Sequence, residues 1–228
     1  MPALLLLIVA GFLASLQVPI PDPVPRAAVQ RIGPDQYQIG PGTRIDTAKR
    51  EVSVMGRLNE GVEILEFVAN TMNGAKAYES ALTLHTDAIS FNAALLLIGL
   101  DPARGKPSKR QFDPEPPTGD LVDIIVEVRL PVPRQFKIDE LLYDNRTKTT
   151  IPAGPWVYTG STMIQTGFGP RYLAELDGVL IGLMHGPQAI IDNPRNDAVN
   201  GYGSIVLNPK LGVAPGSPAT VTVKALNR

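Results

Sequence analysis

The residues best suited to chemistry lie between positions 76 and 85. Lys76, Glu79 and Ser80 form a charged, hydroxyl-bearing group, and His85, one of two histidines in the chain, follows them. On an extended strand Glu79 and His85 would point to the same face. A carboxylate beside an imidazole can orient a general base or hold a metal ion. The structural alternative is that Lys76 and Glu79 pair with each other across a turn.

The second histidine could complete a metal site with the first. His185 follows a predicted strand and precedes Gly186 and Pro187. A catalytic zinc site needs three protein ligands, so His85 and His185 would have to converge with a carboxylate. Their spacing along the chain does not predict that convergence.

A third candidate set combines aromatic and hydroxyl side chains ahead of a glycine-rich stretch at 160–169. It comprises Trp156, Thr159 and Ser161. Aromatic rings beside hydroxyls suit a groove for a sugar or a peptide. The alternative is that Trp156 anchors a β-sheet core and Ser161 caps a turn.

A fourth set is the segment 192–200, which reads DNPRNDAVN and contains Asp192, Asn193 and Asp197. Oxygen atoms at this density could bind Ca²⁺, and His185 is a further weak candidate for a metal ligand. The spacing does not match an EF-hand loop, which needs a glycine and a terminal glutamate at fixed positions. Asp and Asn also form turns without metal. We therefore expect no metal and no other cofactor.

The elements that position these residues are mostly strands. Alternating and β-branched residues predict roughly ten short strands, the strongest over 121–130. The pair Asn73 and Gly74, between candidate strands at 62–69 and 78–85, predicts a hairpin connection. Apolar residues at helical spacing predict one main helix over about 87–99, capped by Asp87 or Thr86 and buried on most sides. The predicted fold class is therefore α+β and β-rich.

Composition excludes several classes of function. The net charge is −1, so no global field attracts nucleic acid, and we expect no such partner. The chain has no cysteine, which excludes disulfides, cysteine-ligated zinc and an iron–sulfur cluster held by cysteines of this chain. The sequence also has no nucleophile elbow, Walker loop or dinucleotide fingerprint.

The amino terminus predicts export. Residues 3–16 read ALLLLIVAGFLASL, a run of signal-peptide length that is short for a membrane span. No Lys or Arg precedes the run and no clean cleavage pair follows it, so a short membrane tether through 3–16 or a buried core element are alternatives. The division we infer is a leader or anchor at 1–16, a proline-rich linker at 17–42 and one domain at 43–228. The expected location is the periplasm or cell envelope.

Short motifs occur in one order over most of the chain: a strand at 51–54, a loose match to Gly-x-x-Glu at Gly61, Val62 and Glu63 with Glu66, Gly-x-Lys-x-x-Glu-Ser at 74–80, an apolar helix at 94–100, Trp-x-x-Thr-Gly-Ser at 156–161, Ile-x-Asp-Asn-Pro at 190–194 and Asn-Pro at 208–209. In this order they resemble the YdjY-like domain family of exported or membrane-tethered bacterial proteins, over about 43–226. The resemblance implies little chemistry. Some relatives sit beside iron–sulfur modules, and relatives often carry a histidine near the start of the apolar helix. Here that helix start contains Asn92, which we include among the candidate binding residues.

These observations favour a non-catalytic binding or accessory module over an enzyme. Its ligand would be an unidentified protein or small molecule, contacted near Glu79, the loop 101–119 and Trp156. The first alternative is a metal-assisted or hydrolytic enzyme that uses Glu79 with His85 or His185. The second is an accessory subunit of a redox complex whose partner holds an iron–sulfur cluster.

Overall fold

The computed structural model describes residues 28–226. The expected leader at 1–16 and the first part of the expected linker lie outside the described residues. The strands are β1 (Val29–Gly33), β2 (Gln36–Ile39), β3 (Thr43–Asp46), β4 (Glu51–Leu58), β5 (Phe67–Thr71), β6 (Ser80–Leu84), β7 (Asp120–Val128), β8 (Arg134–Lys137), β9 (Leu142–Asp144), β10 (Thr149–Thr150), β11 (Trp156–Tyr158), β12 (Met163–Thr166), β13 (Gly169–Tyr172), β14 (Val179–Gly182), β15 (Ile191–Asp192), β16 (Ile205–Leu207) and β17 (Pro218–Ala225). The helices are α1 (Ala88–Leu97), α2 (Ile138–Leu141), α3 (Leu173–Asp177) and α4 (Asn196–Asn200), with 3-10 turns at Ala77–Glu79, Pro102–Arg104 and Pro209–Leu211.

Eight of the strands close into a barrel. Their order around the ring is β4, β17, β7, β11, β15, β14, β5 and β6, and β6 pairs back with β4. The longest strands alternate buried apolar and more exposed polar residues, as expected for strands with one face on a core. Val54, Val221 and Val126 are register partners across three adjacent strands and are fully buried. The β-rich class predicted from sequence is therefore confirmed, but roughly ten strands is too few.

The strands outside the ring extend the sheet on two sides. β1, β2 and β3 continue from β4, and β8 pairs with β7. β4 pairs with β3 along its first half and with β6 along its second half. Gly56 lies where β4 begins to pair with β6. Glycine is required there, because a side chain would collide with the backbone of Thr83 and the side chain of Leu84. β1 and β2 lie inside the segment 17–42 that the sequence assigned to a linker, and they pair with each other and with β3.

The connection at Asn73 and Gly74 is not a hairpin, so this prediction is wrong. β5 and β6 run parallel, and the chain returns between them through the 3-10 turn Ala77–Glu79. On its other side β5 pairs antiparallel with β14. Gly74 instead packs against the backbone of Gly178, just before β14. The distant strand β14 therefore helps decide how β5 pairs, against the local Asn-Gly signal for a hairpin.

The main helix is present where it was predicted, but it is less buried. The Asp87 carboxylate caps α1 by accepting from the Ser90 backbone N–H at 2.7 Å, and the chain turns at Gly99 with φ +86°. Phe91 and Leu95 are buried, whereas Leu96 and Leu97 are both 42% exposed. The apolar run therefore faces solvent on one side. None of the helices between residues 28 and 226 is long and apolar enough to cross a membrane.

Candidate functional site

A cavity of about 470 Å³ opens where β5 and β6 end, beside the amino terminus of α1 and helix α3. We call it the His85 cavity. Because β5 and β6 are parallel, their carboxyl ends lie at one rim, a common place for ligand sites in parallel sheets. Met72 and Leu176 are among its apolar lining residues, and His85, Asp87 and Glu175 are the ionisable ones.

The two carboxylates of the His85 cavity lie at the start of α1. Asp87 accepts from the Ser90 backbone N–H and, at 2.6 Å, from the Ser90 hydroxyl. Glu175 accepts from the Ala88 backbone N–H at 3.1 Å. Two negative charges thus offset the positive end of the helix dipole, and no Lys or Arg of the described chain lines the cavity. The cavity therefore favours a ligand with donors or positive charge over an anion.

Lys76, Glu79 and Ser80 form a turn that is held by its own residues. The Lys76 ammonium lies 2.8 Å from Glu79 Oε1, and the Ser80 hydroxyl donates to the Lys76 carbonyl at 2.7 Å. The ion pair and Lys76's cation–π contact with the Tyr78 ring, 5.9 Å from its centroid, orient the ammonium. Lys76 and Glu79 thus pair with each other across a turn, which was the structural alternative to a functional role.

Glu66 joins this group from the residue before β5. Its backbone N–H donates to the Glu79 carbonyl at 2.9 Å. Burial, followed by the negative charge of Glu79, raises the pKa of the Glu66 carboxyl, although a hydrogen bond from Tyr202 partly opposes the shift. Gln111 donates to Glu66 at 3.4 Å. The loop 101–119 therefore contacts Glu66, next to Glu79.

Glu79 and His85 do not form a site together. Glu79 lies in a 3-10 turn before β6, and His85 follows the end of β6. At about 3.3 Å of rise per residue, the six intervening steps separate their backbones by roughly 20 Å. The expectation that both side chains point from one strand face is therefore wrong, because the strand begins only at Ser80.

His185 is fully buried behind the loop 101–119. Its Nδ1 lies 2.7 Å from the Asp113 carbonyl, and since a carbonyl can only accept, Nδ1 donates. Nε2 is buried and has no hydrogen-bond partner among the residues that the structure describes. Across residues 28–226 no group of three or more His, Asp or Glu is placed to hold a metal ion.

The segment 192–200 supplies core contacts and a short helix. Asp192 is fully buried, and its carboxyl group accepts from the backbone N–H groups of Asn193 at 2.8 Å and Gly186 at 3.2 Å. Burial raises the pKa of Asp192 to about 8. Asn193 is buried and accepts from the Arg195 backbone N–H, whereas Asp197 is exposed on α4. These side chains point into different environments and do not form one oxygen shell.

The aromatic and hydroxyl set also serves the core. The Trp156 indole N–H donates to Asp139 at 3.2 Å. Thr159 donates to the Ala189 carbonyl at 2.8 Å, and Ser161 donates to the carbonyls of Pro187 and Gln188 at 3.1 Å. These hydroxyls fix the segment 187–190 to the end of β11.

Asn92 has a similar structural role. Its side-chain oxygen accepts from the Tyr158 hydroxyl at 2.7 Å, which ties α1 to β11. Of the candidate residues named from sequence, His85 alone lines the cavity described above. Sequence analysis missed Glu175 as a site residue, because it comes from α3, far along the chain from Asp87, and only the fold brings the two together.

Motifs that are distant in sequence meet in the barrel. β11 pairs with β15, which places Val157 opposite Asp192, so the motifs at 156–161 and 190–194 are neighbours. The family model of the YdjY domain matches residues 43–224. No curated protein and no solved structure matches the chain.

Proposed function

The chain belongs to the YdjY domain family, and on that premise we propose that it is an exported, non-catalytic binding module. The observation that carries the proposal is the His85 cavity. Its volume, about 470 Å³, lies in the range of roughly 300–1,000 Å³ typical of small-molecule sites. It combines apolar walls with a few convergent polar groups, as such sites do.

The chemistry of the cavity selects the class of ligand. Asp87 and Glu175 present carboxylates, and Met72 and Leu176 present apolar surface. A ligand with a positively charged amine and an apolar body satisfies both. Because each carboxylate already accepts from backbone N–H groups of α1, their positions are fixed before a ligand arrives, which limits the ordering cost of binding.

Export is the part of the proposal that the amino terminus supports. The run at 3–16 has the length and apolar character of a signal-peptide core. The proposed location is therefore the periplasm or cell envelope, where the module would meet a small molecule or the amine-bearing end of a protein.

The test uses two probes of similar shape and opposite charge. Phenethylamine should bind the folded protein, and 3-phenylpropionate should bind at least about tenfold more weakly, because Asp87 and Glu175 repel an anion. Leu176→Trp fills the cavity mouth and should abolish phenethylamine binding, measured by NMR titration of backbone amides.

Leu96→Trp is the matched control. Leu176 and Leu96 are 44% and 42% exposed, and only Leu176 lines the cavity. Equal binding of the two probes, or equal loss of binding in both variants, would contradict the proposal. Native mass spectrometry of protein purified from its own envelope would then show whether any natural ligand is retained.

A hydrolytic enzyme is the second candidate. Glu66 favours it, because its raised pKa, the adjacent Glu79 and the Lys76 ammonium resemble an acid–base group. Histidine is not part of this arrangement: His85 lies at the other end of β6, and the imidazole of His185 is buried against Asp113. Activity on a panel of p-nitrophenyl esters and glycosides that is lost in Glu66→Gln, but kept in Leu176→Trp, would favour the enzyme over the binding module.

A further inference from the structure

A second cavity, of about 240 Å³, lies next to the 3-10 turn Ala77–Glu79. Its lining residues are Arg57, Asn59, Glu60, Ala77 and Tyr78, and we call it the Tyr78 cavity. It shares no lining residue with the His85 cavity. The two cavities can therefore bind different ligands.

Two opposite charges line the Tyr78 cavity without pairing. Arg57 is exposed near the end of β4, between the buried residues Gly56 and Leu58, and Glu60 is exposed just beyond that strand. Within residues 28–226 no hydrogen bond or ion pair joins the Arg57 guanidinium to the Glu60 carboxylate or connects either group to another residue. The Glu60 carboxylate packs against Gly216, and both charged groups line the cavity with their hydrogen-bonding capacity unused by the described part of the chain.

The remaining lining residues provide a fixed floor and an apolar wall. The Asn59 amide donates to the carbonyls of Ala77 at 3.1 Å and Ser80 at 2.8 Å, and its oxygen accepts from the Thr83 hydroxyl at 2.7 Å. Asn59 is thus committed to the protein and holds the turn in place. Tyr78 is 67% exposed. The Lys76 ammonium contacts its ring, 5.9 Å from the centroid, and the remaining exposed ring surface is open to an apolar group.

We propose that the Tyr78 cavity binds a free α-amino acid as its zwitterion. The ligand carboxylate would accept from the planar guanidinium of Arg57, a geometry that permits two parallel hydrogen bonds. The ligand ammonium would donate to Glu60, and the ligand side chain would pack on the Tyr78 ring. A singly charged ligand would satisfy one of the two groups and be repelled by the other. A residue inside a peptide chain has neither charge, so the site selects the free amino acid.

The experiment titrates the full chain with L-phenylalanine, phenethylamine and 3-phenylpropionate and follows the backbone amide of Ala77 by NMR. Phenylalanine should perturb Ala77 with an affinity at least about tenfold higher than either analogue, because each analogue lacks one charge-assisted hydrogen bond. Arg57→Gln and Glu60→Gln should each weaken phenylalanine binding about tenfold. Glu63→Gln, an exposed substitution outside the cavity, should leave it unchanged.

Three outcomes would overturn the proposal. The first is an analogue that perturbs Ala77 as strongly as phenylalanine. The second is phenylalanine binding that survives both Arg57→Gln and Glu60→Gln. The third is phenylalanine binding that is lost in Leu176→Trp, since the ligand would then occupy the His85 cavity. The double exchange Arg57→Glu with Glu60→Arg should keep phenylalanine binding, which distinguishes loss of charge complementarity from loss of fold.

Discussion

The fully buried carboxyl group of Asp192 should make the stability of this protein fall as pH rises. Burial raises the pKa of Asp192 from 3.8 to about 8 in the folded state. The folded protein therefore keeps a proton that the unfolded chain releases between about pH 4 and pH 8. The free energy of unfolding is unaffected by this group below about pH 4, decreases as pH rises to about 8, and is level above that.

The size of the effect follows from the two pKa values. A difference of about 4 pKa units, at about 1.4 kcal/mol per unit, corresponds to on the order of 6 kcal/mol over the whole window. Natural domains are stable by only about 5–15 kcal/mol. The cost of keeping Asp192 protonated near neutral pH is therefore comparable in size to the whole stability of a typical domain.

The perturbation is Asp192→Asn, because an amide has no charge in either state. Its oxygen can still accept from the Asn193 N–H, but its NH₂ group would face the Gly186 N–H, which loses its acceptor at a cost of about 1–3 kcal/mol at every pH. The variant should therefore be less stable than the native protein at pH 4.5. At pH 7.5 it should be more stable by about 2–4 kcal/mol, because the native protein then carries most of the cost of holding the proton.

The assay is urea unfolding followed by the fluorescence of Trp156, the single tryptophan, which is fully buried. Curves taken at half-unit steps from pH 4.5 to 8.5 give the slope for the native protein and for Asp192→Asn, and their difference isolates Asp192. Asp197→Asn, at an exposed residue on α4, is the control for the substitution itself. Equal slopes in native protein and Asp192→Asn would refute the reasoning.

Three further predictions concern packing and local charge. Gly182→Ala should destabilise the fold by about 1–3 kcal/mol in urea unfolding, because a side chain there would collide with the Asp192 carboxyl group. An unchanged unfolding midpoint would contradict this prediction. Tyr158→Phe removes the hydrogen bond to Asn92 and should lower the free energy of unfolding by about 1–3 kcal/mol, because the Asn92 amide oxygen loses its donor. Equal stability of the variant and the native protein would contradict this prediction. Tyr202→Phe should raise the pKa of Glu66 further, because the hydrogen bond from Tyr202 lowers it, and an NMR titration of the Glu66 carboxyl that moves the other way would rule out this contact.

Interactions between near neighbours could be predicted from the sequence. The cap of α1 by Asp87 and the pairing of Lys76 with Glu79 join residues three apart, and the alternation around Val52 and Val54 is that of a half-buried strand. Residues this close are held together by the chain whatever the rest of the fold does. Residue types and their spacing are enough to predict such contacts.

Composition and residue spacing are sufficient to predict the β-rich class, the near-zero net charge, the absence of cysteine chemistry and the position of the main helix. The folded chain is needed to see that β5 and β6 run parallel, that Glu175 joins Asp87 at one cavity and that the Asp192 carboxyl group is fully buried. Local patterns do not predict these features, because strand pairing and burial depend on how the whole chain covers its apolar surface. That competition between distant segments overrides a local signal such as Asn73 and Gly74.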